Sequence, residues 1–328
     1  MVKMNYKDSG VDTKMSDLLV EDLLGLSSEI GKFAANIFID KKNTFISSCD
    51  GVGTKTILAS EVKKICNHPL TGLGKDCVAM VFNDILCENG EPLFFMDYFS
   101  TSKLNRTDYL QVLSGMRDAC KELGVQIVGG ETAEMPGMFK DDSYFDVCGF
   151  GLGKKNEYDY IPEIQYGDVV IGLKSSGLHS NGFSLIRKLF EDNPDYGLDY
   201  YVENHWFLIE DLLRPTKLYH ESIEKIRDKG IWIKGMAHIT GGGLKNVDRI
   251  LPENKSLLLY PEFEVPPIGK EFPWFQLTYE WIQSKSKLSL EEMRNIFNCG
   301  IGFVIIVSPV DMGLPLDSTE YTIIGEIQ

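Results

Sequence analysis

Positive charge is scarce in this chain. Its 33 Lys and Arg stand against 48 Asp and Glu, a formal net charge of −15. That balance excludes a broad nucleic-acid-binding surface. The seven cysteines (Cys49, Cys66, Cys77, Cys87, Cys120, Cys148 and Cys299) form no C-x-x-C pair and are odd in number. Neither a zinc site nor a disulfide framework is encoded, and a reducing compartment is expected. The longest apolar run, Ile301 to Val307, is far too short to span a membrane. The polar start, Met1 to Gly10, lacks the apolar core of a signal peptide. A cytoplasmic location, with no nucleic-acid and no membrane partner, is the expectation. There is no repeat of fixed period and no low-complexity segment. The standard nucleotide motifs are missing too. A Walker loop ending at Gly74-Lys75 needs glycine where Pro69 stands, and no G-x-G-x-x-G follows a strand.

What is present is a soluble globular composition, 43% hydrophobic and 25% charged, over 328 residues. That length suits two domains, each with its own core. The most distinctive stretch is Cys49-Asp50-Gly51-Val52-Gly53-Thr54-Lys55. An apolar run leads into it and a helical pattern from Lys55 to Ile65 leads out. Two glycines, a carboxylate and a lysine between strand and helix suit phosphate binding by backbone N–H groups and the helix dipole. Alone, the stretch is equally a glycine-rich turn with solvated charges.

The pattern predicts a helix capped by Ser16, strands near 44–48 and 93–99, and helices over 72–89 and 109–123. Asn83-Asp84 lies on the first of these two helices, and Asp97 interrupts the 93–99 strand at a cost unless paired or exposed. A short strand at 125–128 runs into Gly129 to Gly137, read as a ligand loop, and a glycine-studded strand covers 146–153. The hydrophobic pattern lapses between Tyr158 and Gly167, which places a boundary between domains 1–164 and 165–328. Beyond it, a strand at 168–173 enters the turn Ser175 to Gly182, and a helix follows. Residues 208–228 read as mostly helical with Pro215 in a first turn. A strand at 232–239 enters Thr240-Gly241-Gly242-Gly243, which opens another helix. Residues 252–273 read as irregular, helices follow over 274–283 and 290–297, and strands at 301–307 and 321–327 close the chain. Three glycine turns at helix starts suggest more than one phosphate-bearing ligand. Asp50, Asp84 and Glu131 come from different elements, and if they converge, a metal must accompany them.

These residues carry a resemblance to the aminoimidazole ribonucleotide synthetase (phosphoribosylformylglycinamidine cyclo-ligase) family. It runs in order through Tyr6-Lys7-Asp8-Ser9-Gly10-Val11-Asp12, Asp50 to Lys55, Asn83-Asp84, Glu91 to Phe95 with Asp97-Tyr98, and Gly129 to Gly137. It continues through Ser175 to Gly182, Arg214-Pro215-Thr216, Ala237 to Gly243, and Phe297 to Gly302. The chain departs from the family pattern twice. The family's glycine-rich run after its first helix is here Ile30-Gly31-Lys32-Phe33-Ala34-Ala35-Asn36, with one glycine. The family's helix between its last two strands is here Pro309 to Ser318, where Gly313 and Pro315 oppose a helix.

The resemblance implies an α/β and α+β fold: two domains of mixed sheets backed by helices, an active site between them, and a homodimer formed through the first. It implies ring closure of formylglycinamidine ribonucleotide to aminoimidazole ribonucleotide, with ATP and Mg²⁺. By resemblance and chemistry, Lys55 contacts the ATP phosphates. Asp50, Asp84 and Glu131 hold Mg²⁺, and Gly51, Gly53, Thr54 and Asn83 complete the ATP site. His179 is the first candidate for the proton step and His238 the second. Ser176, Asn181 and Gly182, or Thr240 and Gly241, hold the substrate phosphate, and the sequence does not choose between the two turns. Thiamine-phosphate kinase, selenophosphate synthetase and the hydrogenase maturation factor are rivals sharing paired carboxylates. They resemble an Asp-rich turn where this chain has Ala237-His238-Ile239-Thr240. A non-catalytic nucleotide-binding subunit is the rival of another class, and intact Lys55, Asp84 and Glu131 count against it.

Overall fold

The structure, a computed structural model, describes residues 32–40, 43–155, 161–193, 196–260, 273–313 and 320–328, with residues 18, 23 and 263. The Tyr6–Asp12 motif and nearly all of the helix expected after Ser16 lie outside them. Two five-stranded sheets organise the chain. The first comprises β1 (Ala35–Asp40), β2 (Asn43–Gly51), β3 (Gly90–Thr101), β4 (Gln126–Glu134) and β5 (Phe145–Lys155), in the order β1-β2-β5-β3-β4. Only β3 and β4 run parallel. A parallel pair needs a crossover, and the helix Arg106–Glu122 supplies it. Its start is fixed by Asn105, whose side chain accepts from the backbone N–H groups of Thr107 and Asp108. The second sheet comprises β6 (Val169–Lys174), β7 (Ile233–His238), β8 (Leu257–Leu259), β9 (Ile301–Val307) and β10 (Tyr321–Ile327). Its order is β7-β9-β6-β10-β8, antiparallel throughout. Every residue of β9 is buried, as its run of branched apolar side chains requires.

We number three helices of the first half that lie within the described residues α1 (Lys55–Cys66), α2 (Thr71–Cys87) and α3 (Arg106–Glu122). The helix α2 is central. It packs on β2, β3, β5 and α3, and also reaches β7 of the second half. Thirteen of its seventeen residues are buried, as expected for a helix apolar on nearly all sides. The glycines of β5 let it come close. Gly149, Gly151 and Gly153 alternate on the face turned towards α2. A Cβ on them would lie 2.5 Å from the Phe95 ring, 2.6 Å from Val81 and 2.6 Å from Ile85, respectively.

Several expectations need correction. Residues 129–134 are the second part of β4, in parallel register with β3, and not a ligand loop. The 208–228 helix is broken into Trp206–Leu212 and His220–Arg227, with Pro215 in the connection rather than in a first turn. Ala35 and Asn36, the end of the stretch matched to the family's glycine-rich run, begin the edge strand β1. A short strand, β8, sits in the stretch read as irregular, and Pro309–Gly313 is a 3₁₀ turn.

The glycine contacts generate a prediction. Gly151→Ala forces α2 away from β5 and destabilises the protein by about 1–3 kcal/mol. Urea unfolding checks it: the midpoint falls and the slope is unchanged, whereas an unmoved midpoint shows that the contact yields freely.

Candidate functional site

The glycine turn forms as read. Asp50 and Gly51 end β2, and α1 begins at Lys55. Gly53 has φ of 70°, which favours glycine, and a Cβ there would meet nothing within 4 Å. The Thr54 hydroxyl lies 3.1 Å from that of Ser184, which belongs to the second half. The Gly51 N–H donates to the Asp50 carboxylate at 2.7 Å.

Lys55 is not a phosphate contact in this arrangement. Its side chain is fully buried, and its ammonium donates to Asp76 Oδ1 (3.0 Å), to the His179 carbonyl (2.8 Å) and to the Arg214 carbonyl (2.8 Å). An ammonium has three N–H donors, and three acceptor groups engage them. Asp76 Oδ1 also accepts from the backbone N–H and the hydroxyl of Thr216, both at 2.7 Å. The pair therefore joins α1 and α2 to two loops of the second half. Burial pulls the Lys55 pKa down, and Asp76 opposes that shift.

The acidic part of the site is smaller than expected. Asp50 is in register with Gly149 of β5, Gly149 with Asp97 of β3, and Asp97 with Gly130 of β4. Glu131 is one residue further on and exposed, three strand spacings or about 14 Å from β2. One ion cannot touch both Asp50 and Glu131 of the same chain, so the structure does not bring the three carboxylates expected around a metal together. Among the described residues no group of three His, Cys, Asp or Glu is spaced to hold a metal. Asp50 and Asp84 do interact. Burial, and then the charge of Asp84, push the Asp50 pKa up to about 6, with His238 and Arg249 opposing. Two close carboxylates in a desolvated place make a donor set that suits a divalent cation.

The histidines exchange rank. His179 is fully buried and its Nε2 accepts the Ser176 N–H at 3.3 Å. Burial, then His238, hold its pKa well below the usual value. Its Nε2 is engaged by backbone and its Nδ1 is buried with no hydrogen-bond partner among the described residues, so the structure does not present His179 as the proton acceptor expected. His238 ends β7 and places Nδ1 2.8 Å from Asp84 Oδ1. The carboxylate sets the tautomer, leaving Nε2 as the acceptor, and Asn83 Nδ2 stands 3.5 Å from it. Asn83 is buried and engaged elsewhere: it donates to the Lys217 carbonyl at 2.8 Å and accepts the Tyr219 N–H at 3.1 Å. It fastens the Lys217–Tyr219 segment and is not an ATP contact.

The two candidate phosphate turns are neighbours. A Cβ on Gly241 would lie 3.4 Å from Asn181 Oδ1. Gly182 has φ of 82° and starts the Phe183–Glu191 helix, and a Cβ there would overlap the Phe297 ring. Asn246 donates to the Gly241 and Gly243 carbonyls at 3.1 and 2.8 Å, holding Thr240 and Gly241 beside Asn181. Ser176 is apart from them. Its hydroxyl donates to the Pro215 carbonyl at 2.5 Å, and it lines a hollow of about 250 Å³ with Lys75, Lys217 and Glu221. Sequence reasoning missed Asp76 and Arg249. For Asp76 a signal existed: a carboxylate inside the largely apolar α2 requires a partner where it is buried.

Fold and site together describe a two-domain α/β protein with acidic and histidine groups where its halves meet. Its residues 31–154 match the model of the AIR synthase related protein N-terminal domain, and residues 165–328 that of the C-terminal domain. The chain is 41% identical over 325 residues to the phosphoribosylformylglycinamidine cyclo-ligase of Neisseria meningitidis serogroup B, covering 94% of this chain and 89% of the relative. It is 36% identical over 349 residues to the enzyme of the same name from Alkaliphilus oremlandii, covering 99% and 97%. The chain belongs to the AIR synthase family. Among solved structures, AaThiL complexed with AMPPCP and TMP is similar in fold, with a TM-score of 0.61 at 14% identity over 100% of this chain and 94% of that one.

The Asp50 environment gives a test with a defined sign. The folded protein holds this proton more tightly than the unfolded chain does, so ionisation costs stability as pH rises through about 6. In metal-free buffer, Asp50→Asn melts above the parent at pH 7.5, and the gap narrows as pH falls to 5. A gap that does not change with pH contradicts the assignment.

Proposed function

We infer that the chain closes the imidazole ring of formylglycinamidine ribonucleotide, consuming ATP and giving aminoimidazole ribonucleotide, ADP and phosphate in purine biosynthesis. The observation that carries this reading is the meeting of Asp50, Asp84 and His238 at the junction of two family domains. An amide oxygen leaves poorly. Phosphorylation of the formyl amide oxygen gives an imidate phosphate, the amidine nitrogen attacks that carbon, phosphate departs, and loss of a proton makes the ring aromatic. The first step depends on positioning and charge stabilisation.

In this reading Asp50 and Asp84 hold Mg²⁺, which when bound neutralises charge on the transferring phosphate. Asp84 also fixes the His238 tautomer, so that Nε2 takes the proton released on ring closure. Thr54 and the Gly51–Gly53 turn lie at the start of α1 and face the ATP phosphates. Asn181, Gly182, Thr240 and Gly241 form the substrate-phosphate cradle, because two glycine turns and an amide meet there. The buried Lys55–Asp76 pair keeps the two halves at the separation these groups need. Free thiols throughout the described residues suit the cytoplasm, and none of the described helices is long and apolar enough to cross a membrane.

The open face of the first sheet supports a homodimer. Met96, Tyr98, Phe150 and Val128 are 36%, 40%, 38% and 56% exposed there. A second copy covers such a face best, and it also brings a second Glu131-bearing strand to the assembly. Sedimentation at micromolar concentration then shows a particle about twice the 37.0 kDa chain mass, and a monomer alone removes the dimer.

Asp84→Asn tests the enzyme reading directly. It keeps size and a hydrogen-bond acceptor for His238 but loses the charge. Substrate-dependent ADP formation falls on the order of 100-fold, while the melting temperature stays near that of the parent. Unfolding in step with the loss of activity makes Asp84 structural, and an unmodified protein that is folded yet forms no substrate-dependent ADP favours a binding subunit.

A further inference from the structure

We propose that Arg249 is a positioning residue that clamps the strap of residues 32–34 against the second half of the molecule and couples it to the Thr240–Gly243 turn. The strap occupies the place of the family's glycine-rich run. It should be loose by analogy, yet it is fastened. The Arg249 guanidinium lies 4.0 Å from the centroid of the Phe33 ring, and its Nη2 donates to the Lys32 carbonyl at 2.5 Å. Phe33 is 6% exposed and packs in one apolar cluster with Leu86 and Cys87 of α2 and with Ala237 and Val247 of the second half. One residue of the strap thus touches both halves, within a turn of Asp84. Asn36, just beyond it, donates to Glu88 at the end of α2 at 3.2 Å.

The other side of the clamp is the glycine turn. Arg249 Nη1 donates to Asn246 Oδ1 at 3.4 Å, and Asn246 Nδ2 holds the Gly241 and Gly243 carbonyls. A single chain of contacts therefore runs from turn to Asn246, to Arg249, to strap. Arg249 also stands close enough to Asp50 to lower its pKa. Only a planar guanidinium performs the stack and the two donations together. A lysine keeps the charge but not this geometry. The consequence is closure: the strap, held by Arg249, shields an imidate phosphate from water next to Asp50, Asp84 and His238.

This inference rests on the cyclo-ligase reading, and two measurements separate them. The first quantifies ADP and aminoimidazole ribonucleotide in one reaction for the parent, Arg249→Lys and Arg249→Ala. The parent gives near-equal amounts. Arg249→Ala still forms ADP when substrate is present, but with an excess over product of about twofold to tenfold, and Arg249→Lys falls between. The second is amide hydrogen exchange without ligand. In Arg249→Ala exchange quickens over residues 33–40 and is unchanged over 301–307. A ratio near one with unchanged exchange over 33–40 overturns the clamp. If the parent forms no substrate-dependent ADP, the enzyme reading fails and exchange alone decides the clamp. Should Arg249→Ala not fold, Phe33→Leu, which removes the ring face and keeps bulk, is read by the same two measurements with the same outcomes.

Discussion

The interaction on which the rest depends is the buried contact of Lys55 with Asp76. Both side chains are fully buried, 2.8 Å apart at closest approach, and each reaches beyond the other into the second half of the chain. Lys55 takes the carbonyls of His179 and Arg214, and Asp76 takes the N–H and hydroxyl of Thr216. Two ions removed from water are expensive unless every remaining hydrogen-bonding position is filled. Here the filling groups belong to the loops around His179 and Arg214–Thr216. The ion pair and the two loops are ordered together, so the relative position of the halves is fixed at the same point where the glycine turn opens α1.

The chemistry follows from that placement. With α2 pressed onto the glycines of β5, Asp84 reaches Asp50 on one side and His238 of the second half on the other. Burial, and then the charge of Asp84, raise the Asp50 pKa. In the proposed function a divalent ion offsets these charges and gives the phosphates a counter-charge. His238 is fully buried, and its Nδ1 is held 2.8 Å from Asp84. Desolvation of such a site strengthens each charge interaction made in it.

Much of this was legible before the coordinates. Strong periodicity marked α1, α2 and α3, and β9 and β10 stand where their apolar runs are. Asn83-Asp84 alone reads as an exposed helix face, but Asn83 is buried and both residues meet the second half. What failed did so for tertiary reasons. Residues 129–134 look like a loop because glycine has little strand preference, but pairing with β3 imposes an extended chain. Pro215 lies in a connection because Lys55, Ser176 and Asn83 capture the carbonyls of residues 214, 215 and 217. A lysine after a glycine turn reads locally as a phosphate ligand, and nothing within that turn reveals that Asp76, 21 residues later, turns back to meet it. His179 and His238 are both buried, and only their partners tell the structural one from the one aimed by a carboxylate.

The central claim is that Lys55 joins the two halves rather than holding ATP, and a double-mutant cycle on the intact protein tests it most directly. Urea unfolding is measured for Lys55→Met, Asp76→Leu and the double variant. Each single change leaves an uncompensated buried charge and costs about 3–5 kcal/mol. The double variant replaces the pair with apolar side chains and recovers a large part of that loss, because the two changes remove partners of one another. Single changes that leave stability within about 0.5 kcal/mol of the parent, with Lys55→Met alone abolishing binding of an ATP analogue, contradict the account and return Lys55 to the phosphates.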